Sequence, residues 1–349
     1  MLTFQVIRVL ILTGISFIVG LFLTPIVSKI LYKYRAGKQI RGKEDAPIFN
    51  SLHQKKEGTP TMGGIIIWAT VLGLAALFFI LNLFLDGNFS MLNIVDRAQT
   101  YLPIAAMLIA ALLGLVDDVL GIKGVGPKGG GLPMKYKILI YLLIALVGAY
   151  WFSVKLEWST LYVPFFGNIE IDGWYIPLFI FVIVAAAFSA NETDGLDGLL
   201  GGVSLFSFGS LAVVSFALGR FDLAAFATMV IGALLAFLWF NIHPARFFMG
   251  DTGSMALGIT MGVIAMLTNT ILFLPFFAPI LVLESLSVIV QMISKKIFKR
   301  KIFISTPIHH HFEAIGWPES KVTMRFWIIT VVSNGLGLVL FFLSRMIIR

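Results

Sequence analysis

The sequence contains no cysteine and few charged residues, and each shortage excludes a class of protein. Without cysteine, the chain has neither disulfides nor thiolate metal sites. Charged residues make up 13% of its 349 positions, whereas soluble domains have about 25%. Hydrophobic residues make up 58%, and the mean hydropathy is +0.95. So few polar groups do not cover a water-exposed surface, which excludes a soluble protein.

Long apolar segments joined by short links predict an all-α, polytopic integral membrane protein. A helix needs about 20 apolar residues to cross the hydrocarbon core. The sequence predicts about ten transmembrane helices, at residues 4–30, 62–85, 101–119, 137–152, 174–190, 199–218, 223–241, 254–267, 271–293 and 324–347. The eighth segment is short and could join the ninth as a bent pair, so nine is the alternative count. The first is too long for a cleaved signal peptide.

Basic residues are concentrated in alternate links between the predicted helices. The odd-numbered links and their adjoining helix ends hold 20 of the 26 Lys and Arg residues. The positive-inside rule therefore predicts cytoplasmic odd links and periplasmic termini. The net charge of +8 is mostly a topology signal, with attraction to anionic lipid or substrate as an added role. It does not indicate a nucleic-acid partner.

Three acidic motifs stand at helix ends on the predicted cytoplasmic side, and buried charges in membranes are functional candidates. They are Asp117–Asp118, the segment 191–198 and Asp251. The plainer alternatives are interfacial carboxylates, a polar turn and a helix N-cap. Adjacent carboxylates are unfavourable at the negative end of a helix, which favours function. Such pairs suit divalent-cation binding or proton abstraction.

Two further motifs carry groups suited to phosphate. His309, His310 and His311 stand together in the ninth link, where they suit polar or phosphate recognition, with a structural zinc site as the alternative. Lys56 lies just before the Gly/Thr turn at Thr59, which suits a phosphate contact, with close helix packing as the alternative. Carboxylates, a divalent cation and basic side chains on one face indicate phosphoryl transfer. A transporter would instead place its carboxylates near the midplane.

Five motifs, in order and over essentially the whole chain, resemble the MraY family of phospho-N-acetylmuramoyl-pentapeptide transferases. They are 58–64 (GTPTMGG), 117–118 (DD), 191–198 (NETDGLDG), 248–254 (FMGDTGS) and 307–313 (PIHHHFE). The resemblance implies a single transmembrane transferase domain over residues 1–349, in the bacterial inner membrane, with a cytoplasmic active site. Its activity would move phospho-MurNAc-pentapeptide from UDP-MurNAc-pentapeptide to undecaprenyl phosphate, giving lipid I and UMP.

The resemblance also implies a Mg²⁺ cofactor, a homodimer and roles for individual residues. Asp251 would be the Mg²⁺ ligand, and Asp117 the catalytic carboxylate, supported by Asp118. The nucleotide and metal-proximal set would be Asn191, Asp194, Asp197 and Asn241. Substrate contacts would also come from Lys56, Thr59, Lys137, His309, His310 and His311.

A sister transferase that moves a phospho-N-acetylhexosamine shares the acidic motifs and is the nearest alternative. The segment 58–64 and the histidine run favour the muramoyl enzyme. One departure from the family pattern is Glu192, where leucine is usual. An extra carboxylate there could raise the pKa of a neighbour or shift metal affinity.

The predicted topology is testable by thiol labelling, because the chain has no cysteine of its own. In intact cells, Lys43→Cys and Lys299→Cys should resist a membrane-impermeant thiol reagent, whereas Asn88→Cys should react. Labelling of the first two positions would reverse the orientation.

Overall fold

A computed structural model describes residues 2–34, 36–37, 56, 58–85, 90–95, 98–126 and 130–348. Over these residues the chain folds mainly into α-helices. Lys43, Asn88 and most of the first link lie outside the described residues. In chain order the helices are α1 (Leu2–Lys33), α2 (Ile65–Phe84), α3 (Ala98–Ile122), α4 (Met134–Tyr150), α5 (Tyr175–Thr193), α6 (Leu199–Ala217), α7 (Phe221–Asn241), α8 (Asp251–Leu267), α9 (Leu274–Phe277), α10 (Pro279–Ile297), α11 (Ile308–Ala314) and α12 (Glu319–Ile347).

Eight of the described helices are long and apolar enough to span a membrane, namely α1 to α7 and α12, where α4 continues as a π-helical turn to Lys155. The predicted all-α, polytopic membrane fold is therefore confirmed. Helix α8 has 17 residues and matches the short eighth segment. Ten spans are reached only by counting α8 and the bent pair formed by Ile271–Phe277 and Pro279–Ile297.

The ninth predicted span, 271–293, is wrong as a single straight helix. The chain turns by 93° between Ile271–Phe277 and Pro279–Ile297. Proline disfavours helical geometry at the preceding residue, and Ala278 has φ −133° and ψ 52°. The bend thus lies inside the ninth segment, not between the eighth and ninth as the nine-span alternative assumed.

Polar side chains of α12 satisfy the carbonyl groups that the break leaves without helical partners. The Asn334 amide donates to the Phe277 carbonyl at 3.0 Å and, at 3.4 Å, to that of Phe276. The Ser333 hydroxyl also donates to Phe276, at 2.9 Å. In a membrane such groups have no water to bond, so these contacts make the break possible.

A short antiparallel hairpin between α4 and α5 was not predicted. Strand β1 (Thr160–Val163) pairs with β2 (Gly167–Glu170), with Thr160 opposite Glu170. The Asn269 side chain, after α8, holds β1 by accepting from the Tyr162 amide at 3.0 Å and donating to the Thr160 carbonyl at 3.1 Å. Four-residue strands are too short for a clear alternating pattern.

Helices α3 and α8 pack closely enough to bring the end of one to the start of the other. A Cβ atom on Gly114 of α3 would come within 3.0 Å of the Asp251 carbonyl group at the start of α8. The absent side chain thus allows direct backbone contact, and it places Asp117, less than one turn further along α3, near Asp251.

Replacing Gly114 should therefore disturb both stability and activity. Gly114→Ala should lower the free energy of unfolding by about 1–3 kcal/mol through overpacking, and turnover should fall because α3 and α8 separate. Thermal unfolding in detergent and turnover measure the two effects. Gly73→Ala in α2 is the matched control, since a Cβ there meets nothing within 4 Å. Equal behaviour of the two variants would contradict the packing argument.

Candidate active site

Four helices bring one lysine, two aspartates and one asparagine together at one end of the bundle. The Lys137 ammonium of α4 lies 2.7 Å from Asp117 Oδ2 of α3 and also contacts Asp251 Oδ2 of α8. The Asn191 amide of α5 donates to Asp251 Oδ1 at 2.6 Å. We call these four residues the carboxylate cluster. Asp117, Asn191 and Asp251 were predicted from separate motifs and Lys137 from the family resemblance, and the structure brings the four together.

Asp118 binds the beginning of α8. Its Oδ1 accepts from the Asp251 amide at 3.1 Å, and its Oδ2 from the Thr252 amide at 3.0 Å. Asp194 Oδ2 accepts from the Gly250 amide at 3.0 Å. Carboxylates are favourable at a helix N-terminus, where amide groups lack helical partners. Asp118 and Asp194 therefore position Asp251.

The plainer interpretation of Asp251 as an N-cap is not what the structure shows. Gly250 occupies the cap position with φ 77°, and no side-chain cap bond forms there. A Cβ on Gly250 would lie 2.6 Å from Asp118 Oδ2. Glycine is thus required where Asp118 reaches the helix, and the Asp251 side chain remains directed to Lys137 and Asn191.

A second group of charged residues lies at the start of α12, and we call it the Lys56 cluster. The Lys56 ammonium is 2.7 Å from Asp197 Oδ1 and 2.5 Å from Glu319 Oε1. His243 Nδ1 is 2.9 Å from Asp197 Oδ2. Burial alone raises the pKa of Asp197, but Lys56 and hydrogen bonds from Ala245 and His243 lower it below its usual value.

Sequence reasoning identified Lys56 and Asp197 but missed Glu319 and His243. Glu319 is the first residue of α12 after Pro318, and as an ordinary helix-start glutamate it carries no distinguishing pattern. His243 lies two residues after Asn241, in a segment where no motif was assigned. Their role depends on contacts with residues far away in the sequence.

The turn around Thr59 lies beside the segment that leads into α8. The Pro60 carbonyl accepts from the Phe248 amide at 2.7 Å, and the Gly63 amide donates to the Phe248 carbonyl at 2.8 Å. Thr59 itself is half-buried, and its amide donates to the Lys56 carbonyl at 3.1 Å. The turn therefore holds Lys56 next to the residues that precede Asp251.

Asn241 links two loops rather than facing either cluster. Its Oδ1 accepts from the Gly198 amide at 3.0 Å, and its Nδ2 donates to the Phe247 carbonyl at 2.8 Å. Both ends of the amide are thus bonded to backbone. Asn241 fixes the loop after α7 against the turn between α5 and α6.

The three predicted histidines have three different environments. His309 is fully buried, with Nδ1 3.0 Å from Glu284 Oε2 of α10. His310 Nδ1 lies 2.7 Å from Glu313 Oε2, and His311 Nδ1 accepts from the Ile304 amide at 3.2 Å. Glu284, also fully buried, was not predicted, because its partner is 25 residues away in the sequence.

His309 lies against the turn that carries Asp194 and Asp197. A Cβ on Gly195 would come within 3.0 Å of the His309 ring. Burial alone lowers the pKa of His309, but the carboxylates of Glu284, Glu313 and Glu192 raise it above its usual value. Glu192, which departs from the family pattern, thus acts in the same direction as Glu284.

The carboxylate cluster has the donors that a hard divalent cation requires. Carboxylate oxygens of Asp117 and Asp251 face the same ammonium group, and Mg²⁺ prefers anionic oxygen ligands. The Lys56 cluster also brings ligating atoms of Asp197, His243 and Glu319 within 4.8 Å of one another. There, however, the Asp197 side chain is only 3% exposed. Asp251, at 19%, is the more accessible ligand.

The raised pKa of His309 predicts how stability depends on pH. The Glu284–His309 attraction contributes fully below the unfolded histidine pKa of about 6.5 and is lost as pH rises through the higher folded value. The difference in Tm between the native sequence and His309→Gln should therefore shrink from about pH 6 to 9. When Glu284→Gln is present in both proteins, the Tm difference should no longer depend on pH. A Tm difference between the native sequence and His309→Gln that grows with pH would contradict the prediction.

Comparison with known proteins places the chain in a family. The model described as glycosyl transferase family 4 matches residues 100–269, and the phospho-N-acetylmuramoyl-pentapeptide-transferase signature 1 matches residues 56–67. The phospho-N-acetylmuramoyl-pentapeptide-transferase of Geobacillus sp. (strain WCH70) is 37% identical, over 93% of this chain and 95% of its own length. That of Desulforamulus reducens is 38% identical, over 93% of each. The chain belongs to the phospho-N-acetylmuramoyl-pentapeptide-transferase family.

Proposed function

We propose that the chain transfers phospho-MurNAc-pentapeptide from UDP-MurNAc-pentapeptide to undecaprenyl phosphate, giving lipid I and UMP. The observation that carries this assignment is the carboxylate cluster, in which Lys137 lies between Asp117 and Asp251. The family membership and the signature at residues 56–67 favour the muramoyl substrate over a phospho-N-acetylhexosamine. A transporter is disfavoured because the cluster lies at helix ends.

Within the carboxylate cluster we propose a separate role for each side chain. Asp117, whose Oδ2 lies beside Lys137, has one of two roles. Either it removes the proton from the attacking nucleophile, or it is itself that nucleophile. Lys137 binds a phosphate oxygen of the donor as a point charge. Asp251 holds Mg²⁺, which when bound neutralises charge on the diphosphate. Asn191 orients Asp251 through the hydrogen bond to Oδ1.

The Lys56 cluster and its surroundings are proposed to bind the rest of the donor. The Lys56 ammonium lies 5.6 Å from the centre of the Phe248 ring. Because Phe248 is three residues before Asp251, the two clusters flank one short segment. Asp194, Asp197 and Asn241 shape this region through the contacts described above. We propose that His310 and His311 reach the substrate from α11, the short helix that precedes α12.

We further propose the bacterial inner membrane as the location, with both clusters on the cytoplasmic face and the enzyme as a homodimer. The basic residues near these clusters support the orientation, because cytoplasmic links are enriched in lysine and arginine. A cytoplasmic site also matches a nucleotide-bound donor, which is water-soluble.

The substrate assignment is tested by incubating purified protein with Mg²⁺, undecaprenyl phosphate and one of two donors. UMP should be released with UDP-MurNAc-pentapeptide and not with UDP-GlcNAc. Release from UDP-GlcNAc alone would favour the sister transferase, and release from neither would reject both.

Asp251 and Asp117 should fail in different ways when each is changed to asparagine. Asp251→Asn removes an anionic ligand, which should cost about 3 kcal/mol in the transition state, or roughly 100-fold in rate. Raising Mg²⁺ or substituting Mn²⁺ should recover part of that loss. Asp117→Asn should lose turnover at every metal concentration while largely keeping nucleotide affinity.

Turnover measured against metal concentration separates the two roles. Metal rescue of Asp117→Asn but not of Asp251→Asn would show that the two assignments are reversed.

A further inference from the structure

The end of α10 carries a dense group of cations on a folded turn. Five cationic residues lie within seven positions, and all five are exposed: Lys295, Lys296, Lys299, Arg300 and Lys301. We call them the basic turn. No acidic residue occurs between Glu284 and Glu313, and none of the five forms an ion pair with another residue in the described part of the chain.

Buried polar side chains of α10 hold the turn in one conformation. Gln291 Oε1 accepts from the amides of Ile302 and Phe303 at 2.9 and 3.1 Å, and its Nε2 donates to the Phe303 carbonyl at 2.8 Å. The Ser294 hydroxyl donates to the Arg300 carbonyl at 2.9 Å. A flexible basic loop would satisfy the positive-inside rule equally well, so topology alone does not explain a turn that is fixed in place.

The side chains next to these cations are apolar and exposed. Ile297 and Phe298 are each 64% exposed, and Ile302 is 54% exposed. An apolar surface edged by cations is the composition of a segment at the boundary between hydrocarbon and headgroups.

Helix α10 continues that surface, because its polarity is inverted relative to a helix in water. Its polar residues Glu284, Gln291 and Ser294 are buried, whereas Leu286 and Met292 are 48% and 59% exposed. The outward face of α10 therefore faces lipid, and the basic turn lies where that face ends.

We propose that the basic turn is a docking site for the headgroups of anionic phospholipids in the adjacent leaflet. The five cations supply the charge complementarity, and the exposed Ile297, Phe298 and Ile302 enter the hydrocarbon boundary. Each basic residue near a charged membrane surface contributes a favourable interaction. This binding does not depend on the transferase reaction, so it is measurable without substrate.

The test compares spin-labelled phosphatidylglycerol with spin-labelled phosphatidylcholine around the reconstituted full chain. Electron paramagnetic resonance gives the fraction of each lipid that the protein immobilises. The native sequence should prefer phosphatidylglycerol, and high salt should remove the preference. Changing the five residues to glutamine should lower the preference by about fivefold or more. A fivefold loss is the effect expected from removing a single basic residue near the membrane surface.

A matched control removes the same charge from exposed lysines elsewhere, and it should lower the preference by much less than the basic-turn variant does. Its substitutions are Lys29→Gln, Lys33→Gln, Lys123→Gln, Lys135→Gln and Lys155→Gln. If the variant with all five substitutions does not fold, the double variant Lys299→Gln and Arg300→Gln takes its place. Equal loss in both variants, an unchanged preference in the basic-turn variant, or no preference in the native sequence would each overturn the proposal.

Discussion

The site depends on a cation held between two carboxylates that come from different helices. Asp117 and Asp251 would repel each other if both were ionised without compensation, and the Lys137 ammonium lies between them. Because α3, α4 and α8 each supply one of these groups, assembling the site and packing the helices are the same event. The contact of Gly114 with the Asp251 carbonyl sets how closely α3 and α8 approach, and therefore how far apart the two carboxylates lie.

The start of α8 is held by carboxylates from other parts of the chain. Asp118 and Asp194 accept hydrogen bonds from the amides of Gly250, Asp251 and Thr252. The Asp251 side chain is thereby left to face Lys137 and Asn191. Adjacent aspartates at the end of α3 thus have separate tasks, since Asp117 belongs to the cluster and Asp118 positions α8. A change at Asp118 affects stability and chemistry together.

The sequence indicated the membrane class and most residues of the candidate site, because apolar length and acidic helix ends are visible along the chain. It could not indicate Glu284, His243 or Glu319, since each owes its place to contacts with distant residues. Hydropathy predicted one span at 271–293, but it reports composition and not direction. The turn at Ala278 needed both the proline that follows and the Asn334 amide of a different helix.

The two faces of helix α10 have different surroundings, since one forms part of the exposed apolar surface and the other packs towards the candidate site. Its exposed side is apolar, whereas Glu284 on its buried side contacts His309. His309 in turn packs against Gly195, in the turn that carries Asp194 and Asp197. Since buried ionic pairs are costly to break, a shift of α10 would be transmitted to that turn rather than absorbed at the Glu284–His309 contact. The position of the residues proposed to bind the donor therefore depends on a helix whose other face is apolar and exposed.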